Sequence, residues 1–184
     1  MHICLISERM KRPFDEGIKN YALHLARALG EKHEVLTLTT HGESIPSLGI
    51  RNVPANRLLL GPRLALAIRR FAAELVIYVP TACATLYSFL RARVLKAYGR
   101  GAPVVLIALQ LRRYGRLSRM FMPCLCPDLL LVQSEATRAS LRPFACSIRL
   151  VPPGIDLAHF KPISADERAA LRRSFKINMS DYVV

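Results

Sequence analysis

Two loops of this 184-residue chain carry residues whose types and spacing suit a phosphate-bearing ligand. The first, residues 8–17, follows a short apolar run and ends at Gly17, directly before a segment with helical periodicity. Backbone N–H groups at a helix start attract phosphate, and a glycine there lets the phosphate approach the backbone closely. The alternative is that Gly17 only shapes a turn. The loop contains neither G-x-G-x-x-G nor G-x-x-x-x-G-K-[ST], so neither a dinucleotide fingerprint nor a P-loop is predicted.

The second loop is basic, with Arg112, Arg113, Arg116 and Arg119 following an apolar run that ends at Leu109. Guanidinium forks bind phosphate or carboxylate in bidentate fashion. Ligands of open parallel sheets bind at the carboxyl ends of the strands, which is where this loop would lie. We therefore predict that Arg112, Arg113 and Arg116 contact an anionic part of a substrate.

Basic and acidic residues are distributed unevenly along the chain. It has 27 basic and 13 acidic residues, a net charge of +14, and residues 44–127 hold 13 basic residues but only one acid, Glu74. Such asymmetry favours a polyanionic partner, although 21 of the basic residues are arginine, which a GC-rich coding bias alone can supply. Arg93, Lys96 and Arg100 share one helical face and form either solvated surface or a contact to an anionic membrane. No nucleic-acid partner is expected, because no recognition motif or aromatic interleaving accompanies the charge.

The elements that must position the loops alternate between short apolar runs and amphipathic stretches. This alternation predicts an α/β domain of three layers with a mostly parallel central sheet, the Rossmann-like arrangement. Strands are predicted at residues 2–7, 34–40, 75–79, 103–109, 128–133 and 147–151, with a short one at 50–53. Helices are predicted at residues 18–29, 63–73, 83–98, within 116–125, and at 135–144.

The last part of the chain has a different pattern. A turn-rich connector, VPPGID at residues 151–156, is followed by Ser164 and Glu167, which have the spacing of a capping box and predict a helix to about Phe175. The final residues 181–184, DYVV, are typical of the start of a strand. We therefore predict a Rossmann-like domain over residues 1–151, and a connector, helix and beginning of a truncated second domain over residues 152–184.

The cysteines bear on compartment and on metal binding. Their number is odd, they lie in apolar surroundings and no CxxC pair occurs, which predicts reduced thiols, a cytoplasmic location and no metal site. The amino-terminal run lacks the basic leader and cleavage site of a signal peptide. The five residues are Cys4, Cys83, Cys124, Cys126 and Cys146.

Several segments together resemble the family 4 retaining glycosyltransferases, whose glycosyltransferase B fold has two Rossmann-like domains facing each other across a cleft. The amino-terminal segments are EGI at residues 16–18, YALHLARAL at 21–29 and KHEV at 32–35. The later segments are PDLLLVQSEAT at residues 127–137 and VPPGIDLAHFKP at residues 151–162. The resemblance spans the chain but covers only the amino-terminal, acceptor-binding half of the family's fold.

The resemblance implies transfer of a sugar from a nucleotide-diphosphate donor to an acceptor hydroxyl with retention, without a cofactor or an obligatory metal. It matches Gly17, with Glu16 and Ile18 beside it, to the loop that approaches the donor diphosphate. Where members often have a histidine next to the transferred sugar, this chain has Leu109 or Gln110, and Gln110 can hydrogen-bond a sugar hydroxyl. Pro153 stands where an asparagine is usual.

An acceptor that carries phosphate, such as a lipid-linked one at the inner membrane face, would account for the basic residues concentrated between residues 44 and 127. Ser134 and Glu135 then join the three arginines as candidate substrate-binding residues. Glu135 is equally explained as a favourable charge at a helix start. The competing interpretation of the whole chain is a non-catalytic Rossmann-like module that binds an anionic ligand or a partner subunit.

Overall fold

The computed structural model describes residues 1–81, 83–152, 154, 161–178 and 180–182. Two compact units divide the chain, residues 1–152 and residues 153–184. The first unit contains a single seven-stranded sheet. The described residues of the second contain one helix.

The strands of the sheet lie in the order β3-β2-β1-β4-β5-β6-β7, and all six neighbouring pairs are parallel. This confirms the predicted α/β, Rossmann-like three-layer architecture, with a sheet that is wholly rather than mostly parallel. Each of the seven predicted strands is present, and those that differ in length are shorter by one or two residues. Their bounds are β1 His2–Ser7, β2 Glu34–Thr39, β3 Ile50–Asn52, β4 Leu75–Val79, β5 Val104–Ala108, β6 Leu129–Val132 and β7 Ile148–Leu150.

Five helices in the first unit connect these strands, and their ends follow local chemistry. The helix after β4 begins three residues later than predicted because the Thr85 side chain caps it, accepting a hydrogen bond from the Ser88 amide at 3.1 Å. The helix after β6 gives way to a 3₁₀ turn at Arg142–Phe144, since Pro143 lacks an amide hydrogen. The helices are α1 Gly17–Gly30, α2 Pro62–Arg70, α3 Leu86–Tyr98, α4 Arg116–Phe121 and α5 Glu135–Leu141.

The core lies on both faces of the sheet because successive strand residues point to opposite sides. In β1, Cys4 and Ile6 face the layer that contains α2 and α3, whereas Ile3 and Leu5 face α1. All four side chains are almost completely buried. A strand buried on both faces reads as a continuous apolar run, which is why the strands were readily predicted.

The second unit contains α6 Ala165–Ser174. The predicted capping box is confirmed, with the Ser164 hydroxyl accepting from the Glu167 amide at 3.2 Å and the Glu167 carboxylate accepting from the Ser164 amide at 2.9 Å. Asp181 and Tyr182 are not in a strand, so the predicted strand start is wrong for these two residues. Val183 and Val184 lie outside the described residues, as do Pro153 and residues 155–160 of the connector.

The prediction of five reduced thiols is wrong for one pair. Cys126 and Cys146, 20 residues apart in sequence, form a disulfide with a Cα–Cα distance of 5.5 Å. The first lies just before β6 and the second just before β7, and these neighbouring parallel strands bring the two cysteines together. Cys4, Cys83 and Cys124 are free thiols, and burial raises the pKa of Cys4 to about 12. Spacing in the sequence carries no information on which cysteines meet across a sheet.

Candidate functional site

The sheet reverses its strand order between β1 and β4, and this is where a ligand crevice is expected. From β1 the chain proceeds to β2 and β3 on one side, and from β4 it proceeds to β5, β6 and β7 on the other. The connections that follow β1 and β4 therefore diverge, which leaves a crevice outside the carboxyl ends of these strands. The loops predicted to bind ligand follow β1 and β5, at this same edge of the sheet.

The first part of the loop after β1 is fixed by the end of β2. The Thr39 hydroxyl donates to the Glu8 carbonyl at 3.1 Å and accepts from the Met10 amide at 3.0 Å. Two backbone amides add further bonds, from His41 to the Glu8 carbonyl at 2.8 Å and from Glu43 to the Met10 carbonyl at 2.9 Å. Met10 and Thr39 are completely buried. This part of the loop is a rigid wall of the crevice.

A buried acid, a buried phenol and a partly buried guanidinium lie beneath that wall. The Tyr78 hydroxyl donates to Oε1 of Glu8, and Nη1 of Arg91 lies 2.6 Å from the same oxygen and 3.1 Å from the Tyr78 oxygen. Glu8 is 6% exposed and Tyr78 is completely buried. Burial raises the pKa of Tyr78 well above its usual value, the Glu8 charge adds to this and Arg91 opposes it. Tyr78 therefore stays protonated and remains a donor to Glu8.

The same arginine extends the network to a third loop. Nε of Arg91 donates to the Arg57 carbonyl at 2.7 Å, so one side chain of α3 ties β1, β4 and the loop before α2 together. Sequence reasoning missed this network. A tyrosine inside an apolar strand and an acid at a strand end were both visible, but they lie 70 residues apart and nothing local pairs them.

The second part of the loop after β1 contains the predicted donor residue Glu16. Nζ of Lys19, which is buried, lies 2.9 Å from a Glu16 carboxylate oxygen and 3.1 Å from Oδ1 of Asp15. It also donates to the Pro13 carbonyl at 3.3 Å. The hydrogen bond from Lys19 lowers the pKa of Asp15. Glu16 is therefore engaged in holding the loop to the first turn of α1.

Gly17 opens α1, and its position leaves room for a ligand. A Cβ placed on Gly17 would meet nothing within 4 Å, and the residue is exposed. No acidic side chain lies in the first turn of α1, and Glu16 forms no side-chain cap bond. No carboxylate therefore caps the first amides of α1. The positive end of the helix dipole at these amides is open to an anion. Ile18, the third predicted donor residue, is partly buried and packs against the core on the α1 face.

The loop after β5 presents its polar side chains to solvent. Gln110, Arg112, Arg113 and Arg116 are exposed, and none of them has a hydrogen bond or ion pair among the residues that the structure describes. The loop is anchored instead through Tyr114, whose hydroxyl donates to the Ala84 carbonyl at 3.0 Å. Burial raises the pKa of Tyr114 to about 12, and the nearby Cys83 adds to this while Arg112 opposes it.

Ser134 and Glu135 lie at the start of α5, after β6, and make local contacts. The Ser134 hydroxyl caps the helix by accepting from the Thr137 amide at 3.2 Å. A carboxylate oxygen of Glu135 lies 3.3 Å from Nη1 of Arg138. These contacts agree with the structural alternative given above for Glu135, and a ligand that used either residue would have to replace them.

Of the basic residues Arg93, Lys96 and Arg100, one is engaged in an ion pair. Nζ of Lys96 lies 2.5 Å from Oδ1 of Asp128, and Oδ2 of the same carboxylate accepts from the Val104 amide at 2.8 Å. Partial burial raises the pKa of Asp128, but the hydrogen bonds from Lys96 and from Val104 outweigh it, so the pKa is lowered. Arg93 and Arg100 remain exposed without such a partner among the described residues. The face predicted to contact a membrane therefore carries less free charge than its sequence suggests.

The described part of the chain holds no group of three or more His, Cys, Asp or Glu side chains that could bind a metal ion. None of its helices has the length and apolar character needed to cross a bilayer.

No known family model matches the chain, and none of the curated proteins is significantly similar to it.

Proposed function

We propose that this chain is the acceptor-side half of a retaining glycosyltransferase, which transfers a sugar from a nucleotide-diphosphate donor to an acceptor hydroxyl. The observation that carries the proposal is the placement of two complementary loops at one edge of the sheet. A helix start without a side-chain cap follows β1 at Gly17, and exposed arginines that have no partner among the described residues follow β5. The first suits a diphosphate and the second suits an anionic acceptor.

Six of the predicted residues then have defined tasks. The first amides of α1, at Gly17 and Ile18, face the donor diphosphate as it departs. Arg112, Arg113 and Arg116 bind phosphate or carboxylate on the acceptor. Gln110 hydrogen-bonds a hydroxyl of the transferred sugar, and its amide can both donate and accept.

Catalysis in this proposal rests on position and charge rather than on a covalent step. Holding the acceptor hydroxyl against the anomeric carbon converts a bimolecular encounter into an oriented one. The helix-start amides of α1 stabilise the negative charge that develops on the departing diphosphate. The buried Glu8–Tyr78–Arg91 network keeps the loop after β1 in place while both ligands bind. Neither a cofactor nor a metal ion is part of this scheme.

The proposed acceptor is a sugar or a lipid-linked molecule that carries phosphate, bound by a cytoplasmic protein at or near the inner face of a membrane. The surplus of basic residues between residues 44 and 127 supports an anionic acceptor or membrane surface. The proposal includes no nucleic-acid partner.

The direct test is titration of the chain with UDP-sugars and GDP-sugars, followed by amide chemical shifts. One domain supplies one wall of the cleft, so we expect saturable but weak binding, with a Kd on the order of 1 mM, and the largest shifts at Gly17 and Ile18. Gly17→Ala should weaken binding by about tenfold, because its Cβ occupies the space into which the diphosphate approaches.

Gly30→Ala is the matched control for that substitution. Gly30 ends the same helix, and a Cβ there also meets nothing within 4 Å. Equal effects of the two substitutions, or no shift at Gly17, would contradict the assigned donor contact. Arg113→Ala should reduce use of the acceptor more than use of the donor in the protein as its native cells make it. Absence of turnover with any UDP-sugar or GDP-sugar in that protein would favour the non-catalytic binding module.

A further inference from the structure

A groove with a volume of about 620 Å³ lies beside β3, the edge strand of the sheet. It is lined mainly by residues of β2, β3 and α2. It shares no residue with the loops after β1, β5 and β6. Its volume lies within the range of small-molecule sites, roughly 300–1,000 Å³.

Three arginines line this groove, Arg51 from β3 and Arg63 and Arg70 from α2. All three are exposed, and no ion pair among the described residues includes any of them. The residues that line the groove include no aspartate or glutamate. Arg63 and Arg70 are seven residues apart, which places them on one face of α2 at roughly 10 Å along its axis. The groove therefore carries three positive charges without a carboxylate to balance them.

The rest of the lining is mainly apolar, with Leu36, Val53, Leu66 and Phe71 among its members. Leu66 is 48% exposed, although it stands between Arg63 and Arg70 on the outward side of α2. A solvated helix face normally carries polar side chains at such a position. Covering this apolar surface with an apolar group of a ligand is favourable, because it removes the surface from water.

Asn52 adds a polar group to the same lining. Its side-chain oxygen is buried and has no hydrogen-bond partner within the described ranges. A buried acceptor without a partner is unfavourable for the folded chain.

The edge of the sheet beside the groove cannot pair with an additional strand. Ile45 and Ile50 exchange two backbone hydrogen bonds of 2.8 and 3.1 Å, and the Asn52 amide donates to the Ser44 hydroxyl at 2.9 Å. These bonds occupy the outer edge of β3, so an extended peptide cannot pair along it. The occupied edge of β3 and the groove beside it therefore favour a compact occupant over a strand.

We propose that this groove binds one amphipathic anion, a small molecule with an apolar body and a phosphate or carboxylate group. The anion pairs with Arg51 and Arg63, which both lie toward the carboxyl end of the sheet, while the apolar body covers Leu66 and Phe71. The proposal goes beyond the proposed function, because it assigns a second site whose residues take no part in sugar transfer.

The test is calorimetric titration of the whole chain with dodecyl phosphate, below the concentration at which it self-associates. We expect one molecule bound per chain. Arg51→Gln/Arg63→Gln/Arg70→Gln should weaken binding by at least about tenfold, because charge-assisted hydrogen bonds are lost. Leu66→Ser leaves the charge unchanged and should weaken binding by about fivefold, because apolar contact is lost. Circular dichroism checks that each variant is folded.

A second triple variant, Arg27→Gln/Arg69→Gln/Arg93→Gln, removes the same charge from exposed arginines outside the groove and should leave binding unchanged. An equal loss in this control would overturn the proposal, since net charge alone would explain binding. Equally tight binding of inorganic phosphate, or of the neutral amphiphile octyl glucoside, would also overturn it. So would association only with phosphatidylglycerol vesicles, which would indicate a membrane face, or no binding at millimolar dodecyl phosphate.

Discussion

The loops after β1 and β5 lie at the same edge of one sheet, yet they are built in opposite ways. The loop after β1 is held by buried charges, with the Glu8 carboxylate paired to Arg91 and the Lys19 ammonium paired to Glu16. The loop after β5 turns Gln110, Arg112 and Arg113 to solvent and is held through Tyr114. The contrast shows how one edge can combine a rigid wall with side chains free to meet a ligand. Four substitutions or titrations test whether rigidity belongs to the first loop alone.

The largest effect is expected from Arg91→Met, which removes the positive partner of the buried Glu8. A buried carboxylate left without its partner is destabilising by about 3–5 kcal/mol. Urea denaturation of the folded chain measures the change in the free energy of unfolding. Arg113→Met is the control in the other loop, with an expected change within about 0.5 kcal/mol. Similar losses in both variants would remove the distinction between the loops.

Gly42→Ala should follow in size, because Gly42 packs directly against the loop after β1. A Cβ at this position would lie 2.2 Å from the Met10 carbonyl oxygen and 2.6 Å from the Thr39 hydroxyl oxygen. Relief requires backbone movement, so we expect a loss of about 3 kcal/mol, the upper end of typical overpacking effects. Gly115→Ala in the loop after β5 is the matched control, since its Cβ would meet nothing within 4 Å. Thermal melting of both variants decides the question, and unchanged stability of Gly42→Ala would show that this contact is not tight.

Thr39→Val should have a smaller effect of the same kind. The substitution keeps the shape of the side chain but removes the hydroxyl that bridges the Glu8 carbonyl and the Met10 amide. A buried amide left unpaired is unfavourable, so we expect a loss of about 1–2 kcal/mol. Amide hydrogen exchange should be faster at Met10 while the rest of the sheet stays protected. Exchange that quickens uniformly would instead indicate a general loss of stability.

The smallest effect is the loss of stability at high pH when the tyrosines that support the two loops, Tyr114 and Tyr78, ionise. Burial raises the pKa of Tyr114 to about 12 from 10, so the stability it contributes is fully present below pH 10 and is lost as pH rises through about 12. Tyr78, with its pKa raised further by burial and by Glu8, should ionise only after Tyr114. Phenolate absorbance should show a step near pH 12 that Tyr114→Phe removes. A step that is removed by Tyr78→Phe instead would reverse the assigned order.

Much of the fold was predictable because its determinants are local. β1, β4 and β5 are buried on both faces and therefore appear as continuous apolar runs, and α1 shows the helical spacing of a one-sided core contact. The capping box of α6 was predicted for the same reason, since Ser164 and Glu167 are three residues apart. The ends of α3 and α5 were less well predicted, because a single capping threonine and a proline decide them.

The candidate site was predictable in its location but not in its pairings. The arginines after β5 and the glycine before α1 could be placed at the carboxyl edge because a parallel sheet aligns its strand ends. The partners of Glu8, Lys96 and Cys126 could not, since they lie 83, 32 and 20 residues away in the chain. The apolar groove with its three arginines was likewise invisible, because its lining comes from three separate elements.

The sequence by itself determined the alternation of strands and helices, the parallel sheet that follows from it, and the excess of positive charge. Each depends on residue type and short-range periodicity, which a chain displays whether or not it is folded. Only the tertiary structure decided which charges are neutralised. It buries Glu8 against Tyr78 and Arg91, pairs Lys96 with Asp128, and leaves Arg112 and Arg113 exposed. The physical reason is that the strength of a charge interaction depends on distance and burial, and the order of residues in a chain specifies neither.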